Sequence, residues 1–219
     1  GLHMRRFLLI AMLVAPLAVI SADDAKGKKS EKGFISLFDG KSLKGWKITK
    51  ESPKSITVKD GNIVIDGPRA HLFYDGEVEN HNFKNFVLRA EVMTKPSANS
   101  GIYFHTKYQD SGWPDAGFES QVNNTHSDPK KTGGLYAVKD VNPAPAKDNE
   151  WFNYEIRVKG KNIAIKINGK VTTRWTEVPN APHLKSMPGR KLGSGTFALQ
   201  AHDPKSVIHF RNIRVKPLK

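Results

Sequence analysis

Asn99-Ser100-Gly101-Ile102-Tyr103-Phe104-His105 is followed, after a polar and turn-rich loop, by Gly117-Phe118-Glu119-Ser120-Gln121-Val122 and then by Gly133-Gly134-Leu135-Tyr136. The first two runs alternate with a period of two, the pattern of a strand whose faces see different surroundings. In the first, Ile102 and Phe104 point one way and Tyr103 and His105 the other. In the second, Phe118 and Val122 bracket Glu119 and Gln121, which share one side because alternate residues of a strand do. If both strands lie in one sheet, Tyr103, His105, Glu119 and Gln121 form a polar, aromatic patch on a single face. A core-facing strand would not place such groups there without partners.

The same strand signals extend in both directions. Ile56-Thr57-Val58 and Ile63-Val64-Ile65 flank Lys59-Asp60-Gly61-Asn62, a hairpin turn, and Asn168-Gly169 is the strongest hairpin signal in the chain. Residues 71–74 read as a short strand, and 85–92, 151–158, 162–167, 195–202 and 207–215 alternate as strands, with Trp46, Trp151 and Trp175 assigned to core or edge packing. About a dozen short strands without an amphipathic helix indicate an all-β sandwich or jelly roll. No fixed-period repeat supports a propeller or solenoid.

The chain of 219 residues has no Cys, which excludes disulfides and thiolate metal sites. Met4-Arg5-Arg6, the apolar run Phe7–Ile20 and Ser21-Ala22 read as a secretory signal peptide over 1–22, short and wrongly flanked for a spanning helix, with a retained anchor as the alternative. Gly1-Leu2-His3, ahead of Met4, read as outside the natural start. Residues 23–32 read as a flexible linker and 33–219 as one domain. The expected location is therefore periplasmic or extracellular, without membrane attachment after cleavage. The formal charge of +14 is dispersed, mostly as Lys, and reads as a solvated surface, with anionic glycans the sharper alternative. No helix-turn-helix, zinc finger or RNA-binding signature marks a nucleic-acid partner.

Several motifs stand in one order. They are Gly33-Phe34-Ile35-Ser36-Leu37-Phe38-Asp39-Gly40-Lys41-Ser42-Leu43-Lys44-Gly45-Trp46, then 99–104, 117–122, Trp151-Phe152-Asn153, Asn168-Gly169, and Leu199-Gln200-Ala201-His202-Asp203 with 210–215. In these the chain resembles the 3-keto-disaccharide hydrolase family over about residues 33–217. The resemblance implies a concanavalin A-like jelly roll of two curved antiparallel sheets, with carbohydrate bound on the concave face. It also implies cleavage of 3-keto disaccharides or related glycosides. Where His105 stands, members of the family commonly carry Arg; a titratable group replaces a fixed cation.

Ordinary retaining hydrolysis needs two carboxyl groups at a set separation, and the strand carries Glu119 followed by Gln121. A 3-keto sugar makes a different demand. The ketone acidifies the C2 proton, so the site needs a base, donors for the enolate oxygen and an acid for the leaving oxygen. Glu119 or His105 suits the base and His202 the acid, with Asp203 nearby. Asn99, Gln121 and Tyr136 suit contacts to the oxyanion or to sugar hydroxyls, and Tyr103 and Gln200 join them as substrate-binding candidates. Trp113 suits stacking on a pyranose. Each of these residues also has a plain structural reading, as a satisfied histidine, a strand end or a loop anchor. No cofactor is certain; His105, Glu119, His202 and Asp203 have metal-ligand chemistry but no close-spaced signature, so a divalent metal stays open. A non-catalytic carbohydrate-binding module of the same fold is the alternative to an enzyme.

Overall fold

Two antiparallel sheets face each other in the computed structural model, which describes residues 31–219. Residues 1–22, read from the sequence as a signal peptide, lie outside the described residues, as does nearly all of the expected linker over 23–32. The larger sheet runs β11 (Lys170–Thr176), β10 (Asn162–Ile167), β9 (Phe152–Lys159), β6 (Phe86–Thr94), β13 (Val207–Pro217), β4 (Asn62–Asp66) and β3 (Ile56–Lys59). Strand β1 (Ile35–Ser36) also pairs with β13. The smaller sheet runs β2 (Trp46–Ile48), β5 (Ala70–Tyr74), β12 (Thr196–Ala201), β7 (Ser100–Thr106) and β8 (Phe118–Val122). Among the described residues the helical content is three short 3-10 turns, at Pro53–Ser55, Val78–His81 and Pro182–Lys185. Among these described residues no helix is long and apolar enough to cross a membrane.

Both hairpin turns form where the sequence marks them. Asp60 and Gly61 join β3 to β4, and Asn168 and Gly169 join β10 to β11, each pair with two positive φ values, as a type I′ turn requires. The core lies between the sheets. Ile102, Phe104 and Phe118 of the small sheet bury themselves against Phe86, Ile156 and Phe210 of the large one. The Phe104 and Phe118 rings stack at 5.7 Å, with Phe86 edge-on to Phe104 at 6.0 Å. Each such ring stabilises the fold by about 1.5–3 kcal/mol through burial alone. The inward half of β7 and β8 thus anchors the sheet, and alternation turns Tyr103, Glu119 and Gln121 to its other face.

His105 does not follow Tyr103. Thr106 pairs with Thr196 and Phe104 with Phe197, so His105 is an extra residue in β7, a bulge with φ of +56°. The bulge breaks the alternation that would have carried His105 onto the Tyr103 face. Its ring instead stands edge-on to Phe86 at 5.7 Å. Nε2 lies 2.9 Å from the Lys84 carbonyl, and Nδ1 accepts the Gly193 N–H at 3.2 Å. Both nitrogens are satisfied, and burial holds the imidazole below its usual pKa.

Candidate active site

The face of the small sheet turned away from the core is organised in two rows. Phe73 (β5) pairs with Ala198 (β12), Ala198 with Tyr103 (β7), and Tyr103 with Glu119 (β8). In the neighbouring row His71 pairs with Gln200, and Gly101 with Gln121. Gln200 is one residue beyond the Leu199–Ile102 pair, which sets it beside Gly101.

Gly101 explains the position of Glu119. A Cβ at residue 101 would lie 2.4 Å from Glu119 Oε1, so the carboxyl leans across β7 into space that only glycine leaves open. Tyr103 donates its hydroxyl to Glu119 Oε2 at 2.8 Å, and Arg190 Nη2 donates to the same oxygen at 3.2 Å. Gln200 Nε2 donates to the Tyr103 hydroxyl oxygen at 3.0 Å and to Glu119 Oε1 at 3.3 Å. Glu119 is buried, and burial raises its carboxyl above the usual range while the Arg190 charge and the Tyr103 hydrogen bond pull it back. Burial, and then the Glu119 charge, holds the Tyr103 hydroxyl well above its ordinary pKa, so it is a neutral donor.

Strand β8 would be a bare edge, but residues 133–136 cover it. Gln121 N–H donates to the Gly134 carbonyl and Tyr136 N–H to the Glu119 carbonyl. Tyr136 thereby enters the site wall. The opposite walls are the loop carrying Trp113, Pro114 and Asp115 and the loop carrying Ser186, Met187, Pro188 and Arg190. These loops touch where a Cβ on Gly189 would lie 1.8 Å from the Asp115 carbonyl oxygen. Gly117 N–H donates to the Gly189 carbonyl at 2.9 Å, and His183 Nε2 meets the Arg190 carbonyl at 2.9 Å. Arg190 is thus fixed over the floor, its guanidinium 5.6 Å from the centres of both the Tyr103 and Tyr136 rings.

These elements enclose a cavity of about 440 Å³. It brings together Asn99, Tyr103, Trp113, Glu119, Gln121, Tyr136, Gln200 and His202, eight of the ten residues singled out from the sequence. Asp203 stands behind the cavity, accepting from His202 Nδ1 at 3.0 Å and from Ser206 Oγ at 2.7 Å. Burial works against its charge, but the Ser206 and His202 hydrogen bonds outweigh it and leave the carboxyl below its usual range. An ionised carboxylate only accepts, so His202 Nδ1 carries the proton and Nε2 is the nitrogen left for chemistry. His105 alone is not brought in; it borders a separate cavity with Thr106 and Thr196. Among the described residues no three His, Asp or Glu side chains meet as a metal-binding group.

Two residues at this face escaped the sequence reading. Arg190 sits in a Pro-rich loop 71 residues from Glu119, with no periodicity to place it. His71 reads as an ordinary strand residue, and only the β5–β12 register sets it beside Gln200.

Fold, site and comparisons together define a carbohydrate-active β-sandwich enzyme. The chain belongs to the family described as the 3-keto-alpha-glucoside-1,2-lyase-like domain, whose family model matches residues 33–216. It is 29% identical over 230 residues to a 3-keto-disaccharide hydrolase from Bacteroides thetaiotaomicron, covering 85% of this chain and 79% of the relative. Among solved structures it superposes on a putative glycosyl hydrolase from Parabacteroides distasonis with a TM-score of 0.73 and 22% identity, covering 85% of this chain and 94% of that one. A carbohydrate binding module from Bacillus subtilis shares the fold at a TM-score of 0.56 and 10% identity, covering 78% and 95%.

Proposed function

We propose that this chain cleaves the glycosidic bond of 3-keto glycosides or disaccharides by elimination followed by hydration, in the Glu119 cavity. The observation that carries this reading is a buried carboxylate braced by Tyr103, Arg190 and Gln200 at the cavity floor, with a carboxylate-oriented histidine, His202, lining the same cavity. A binding module needs hydrogen-bonding groups and aromatic faces, not a buried carboxylate and an Asp–His dyad.

Glu119 Oε1 is the less engaged oxygen and takes the C2 proton. The C–H electron pair becomes the C2–C3 double bond of an enolate, whose charge rests on the C3 oxygen. Arg190 is the cationic donor for that oxygen. The C3 carbonyl then re-forms, the C1–C2 double bond forms, and the bond from C1 to the leaving oxygen breaks. His202 serves as the acid in its doubly protonated form: Nδ1–H stays on Asp203, and the Nε2 proton passes to the departing oxygen, leaving the neutral ring. Addition of water across C1 and C2 completes net hydrolysis. Asp115, the other carboxylate lining the cavity, is exposed on the wall.

The test is cleavage of 3-ketotrehalose beside unoxidised trehalose, in deuterated water, with EDTA as a separate arm. Cleavage of the keto sugar alone, with one deuterium at C2 of the released keto sugar, is the expected result. Equal cleavage of both sugars, or a product without deuterium, would replace elimination with direct hydrolysis. Export to the periplasm or beyond belongs to the same proposal, since oxidised glycosides would then be met outside the cytoplasm; amino-terminal sequencing of the exported protein checks it, with residue 23 expected first.

A further inference from the structure

Buried polar atoms that lack a protein partner are uncommon, and each calls for a reason. Of the nine such side-chain atoms among the described residues, five lie on the site face: Gln121 Oε1, Gln200 Oε1, Arg190 Nη1 and both ring nitrogens of His71. Gln121 and Gln200 flank Gly101 in one row across the sheet, and His71 is the next residue of that row beyond Gln200. The glutamines and Arg190 line the cavity and belong to the site already described. His71 is fully buried and has no such role so far.

What covers it is Trp113, whose ring stands edge-on to the imidazole at 5.7 Å. Trp113 is itself 44% exposed. Its ring rests on His202 at 5.1 Å and under the Arg69 guanidinium at 5.0 Å. Ring contacts lie along the indole over His71, and Gln109 Nε2 donates to the Trp113 carbonyl at 2.9 Å. Tyr103 closes the other side, edge-on at 5.6 Å.

We propose that His71 is a substrate-contacting residue of this site, whose imidazole hydrogen-bonds a hydroxyl of the bound glycoside when Trp113 swings from over it. A neutral imidazole offers one N–H donor and one lone pair, and a sugar hydroxyl accepts and donates in the same way. The His71 pKa is pushed down to about 3 by burial and then by Arg69 and His202, which keeps the ring neutral at physiological pH. The row then reads the sugar through His71, Gln200 and Gln121 in turn, with Trp113 displaced as the price of specificity. This inference rests on the proposed function for its substrate class.

The variant that tests it is His71→Phe, which keeps an aromatic ring of similar size and deletes both nitrogens. With 3-ketotrehalose we expect KM to rise about tenfold, the effect of one lost hydrogen bond with its partner left unpaired. We expect kcat within a few fold of wild type and Tm unchanged or higher, because an unpartnered imidazole does not stabilise the fold. A residue kept for structure alone would move Tm down and leave KM in place, and that result overturns the proposal, as does an unchanged KM with a raised Tm. Should Phe fail to pack, His71→Leu makes the same chemical deletion in a smaller volume, and failure of both to fold also counts against it. If wild type leaves 3-ketotrehalose intact, the proposed function fails on its own, and His71 is judged by calorimetric binding of trehalose. There, weaker binding by His71→Phe supports the contact and equal binding removes it.

Discussion

Glu119 and Glu155 are both carboxylates on strands, both paired with arginine, and they lie on opposite sheets of the sandwich. Glu155 on β9 meets Arg89 at 2.6 Å and Lys166 at 2.9 Å. Burial pushes its carboxyl up, but hydrogen bonds from Lys166 and Arg89 win, and its pKa is lowered. Glu119 has one cation, at 3.2 Å, and a neutral tyrosine in place of the second. There burial wins and its pKa is raised. Both residues keep a carboxylate in place. One is over-satisfied and serves the sheet; the other is under-satisfied beside a cavity and is poised to accept a proton.

The sharpest way to break this comparison is to neutralise each carboxylate in turn. Glu119→Gln should lower kcat on a 3-keto glycoside by roughly 10²–10⁴-fold, the range for loss of a positioned general base, with near-wild-type circular dichroism. Glu155→Gln should leave kcat within about twofold and cost about 1 kcal/mol in urea unfolding, as for a partly exposed ion pair. Equal turnover in the two variants would show that Glu119 is another structural pair. The next largest effect falls on Gly101→Ala, whose Cβ would drive the Glu119 carboxyl from its place across β7. Displacement by about an ångström costs on the order of a hundredfold in kcat. Wild-type kcat in a folded Gly101→Ala would mean that the position of the carboxyl does not matter to the reaction.

The sandwich and the floor of the site were legible because period-two alternation and two-residue turns are local. Phe118, Glu119, Ser120, Gln121 and Val122 announce their own faces, and Asn168-Gly169 its own hairpin. What needed the folded chain was register and loop docking. Nothing near Arg190 in sequence says that Gly189 packs against Asp115, and nothing near His71 says that Gln200 lies beside it. His105 failed for the opposite reason. It looked locally correct, but one inserted residue shifts every face beyond it. The expected signal peptide over 1–22 lies outside the described residues, as do residues 23–30 of the expected linker.

Arg190→Met sharpens the electrostatic half of the comparison. Glu119 acts as a base only when ionised. Arg190 favours that form, so its removal leaves burial less opposed and the Glu119 pKa rises further. A higher pKa leaves less ionised carboxylate at low pH, and the acid limb of the kcat/KM profile should move to higher pH. A limb that stays in place would assign it to another group.

The smallest effect on turnover is expected at His105, the residue that the alternation pattern wrongly sets beside Tyr103. His105→Ala leaves the Lys84 carbonyl and the Gly193 N–H without their ring partners. The expected cost is about 1–3 kcal/mol of stability with kcat unchanged, read from urea unfolding beside initial rates. The sign with pH follows from burial, which lowers the folded pKa below the ordinary 6.5. Above pH 6.5 neither state protonates the ring, and the native contribution is fully present. Below it the unfolded chain takes up a proton that the folded chain refuses, so stability falls as pH falls. Unfolding of His105→Ala should therefore depend less steeply on pH between 6.5 and 5 than wild type. A large loss of kcat with an unchanged stability profile would instead restore His105 to the chemistry, and would mean that the bulged ring reaches the substrate by a movement of β7.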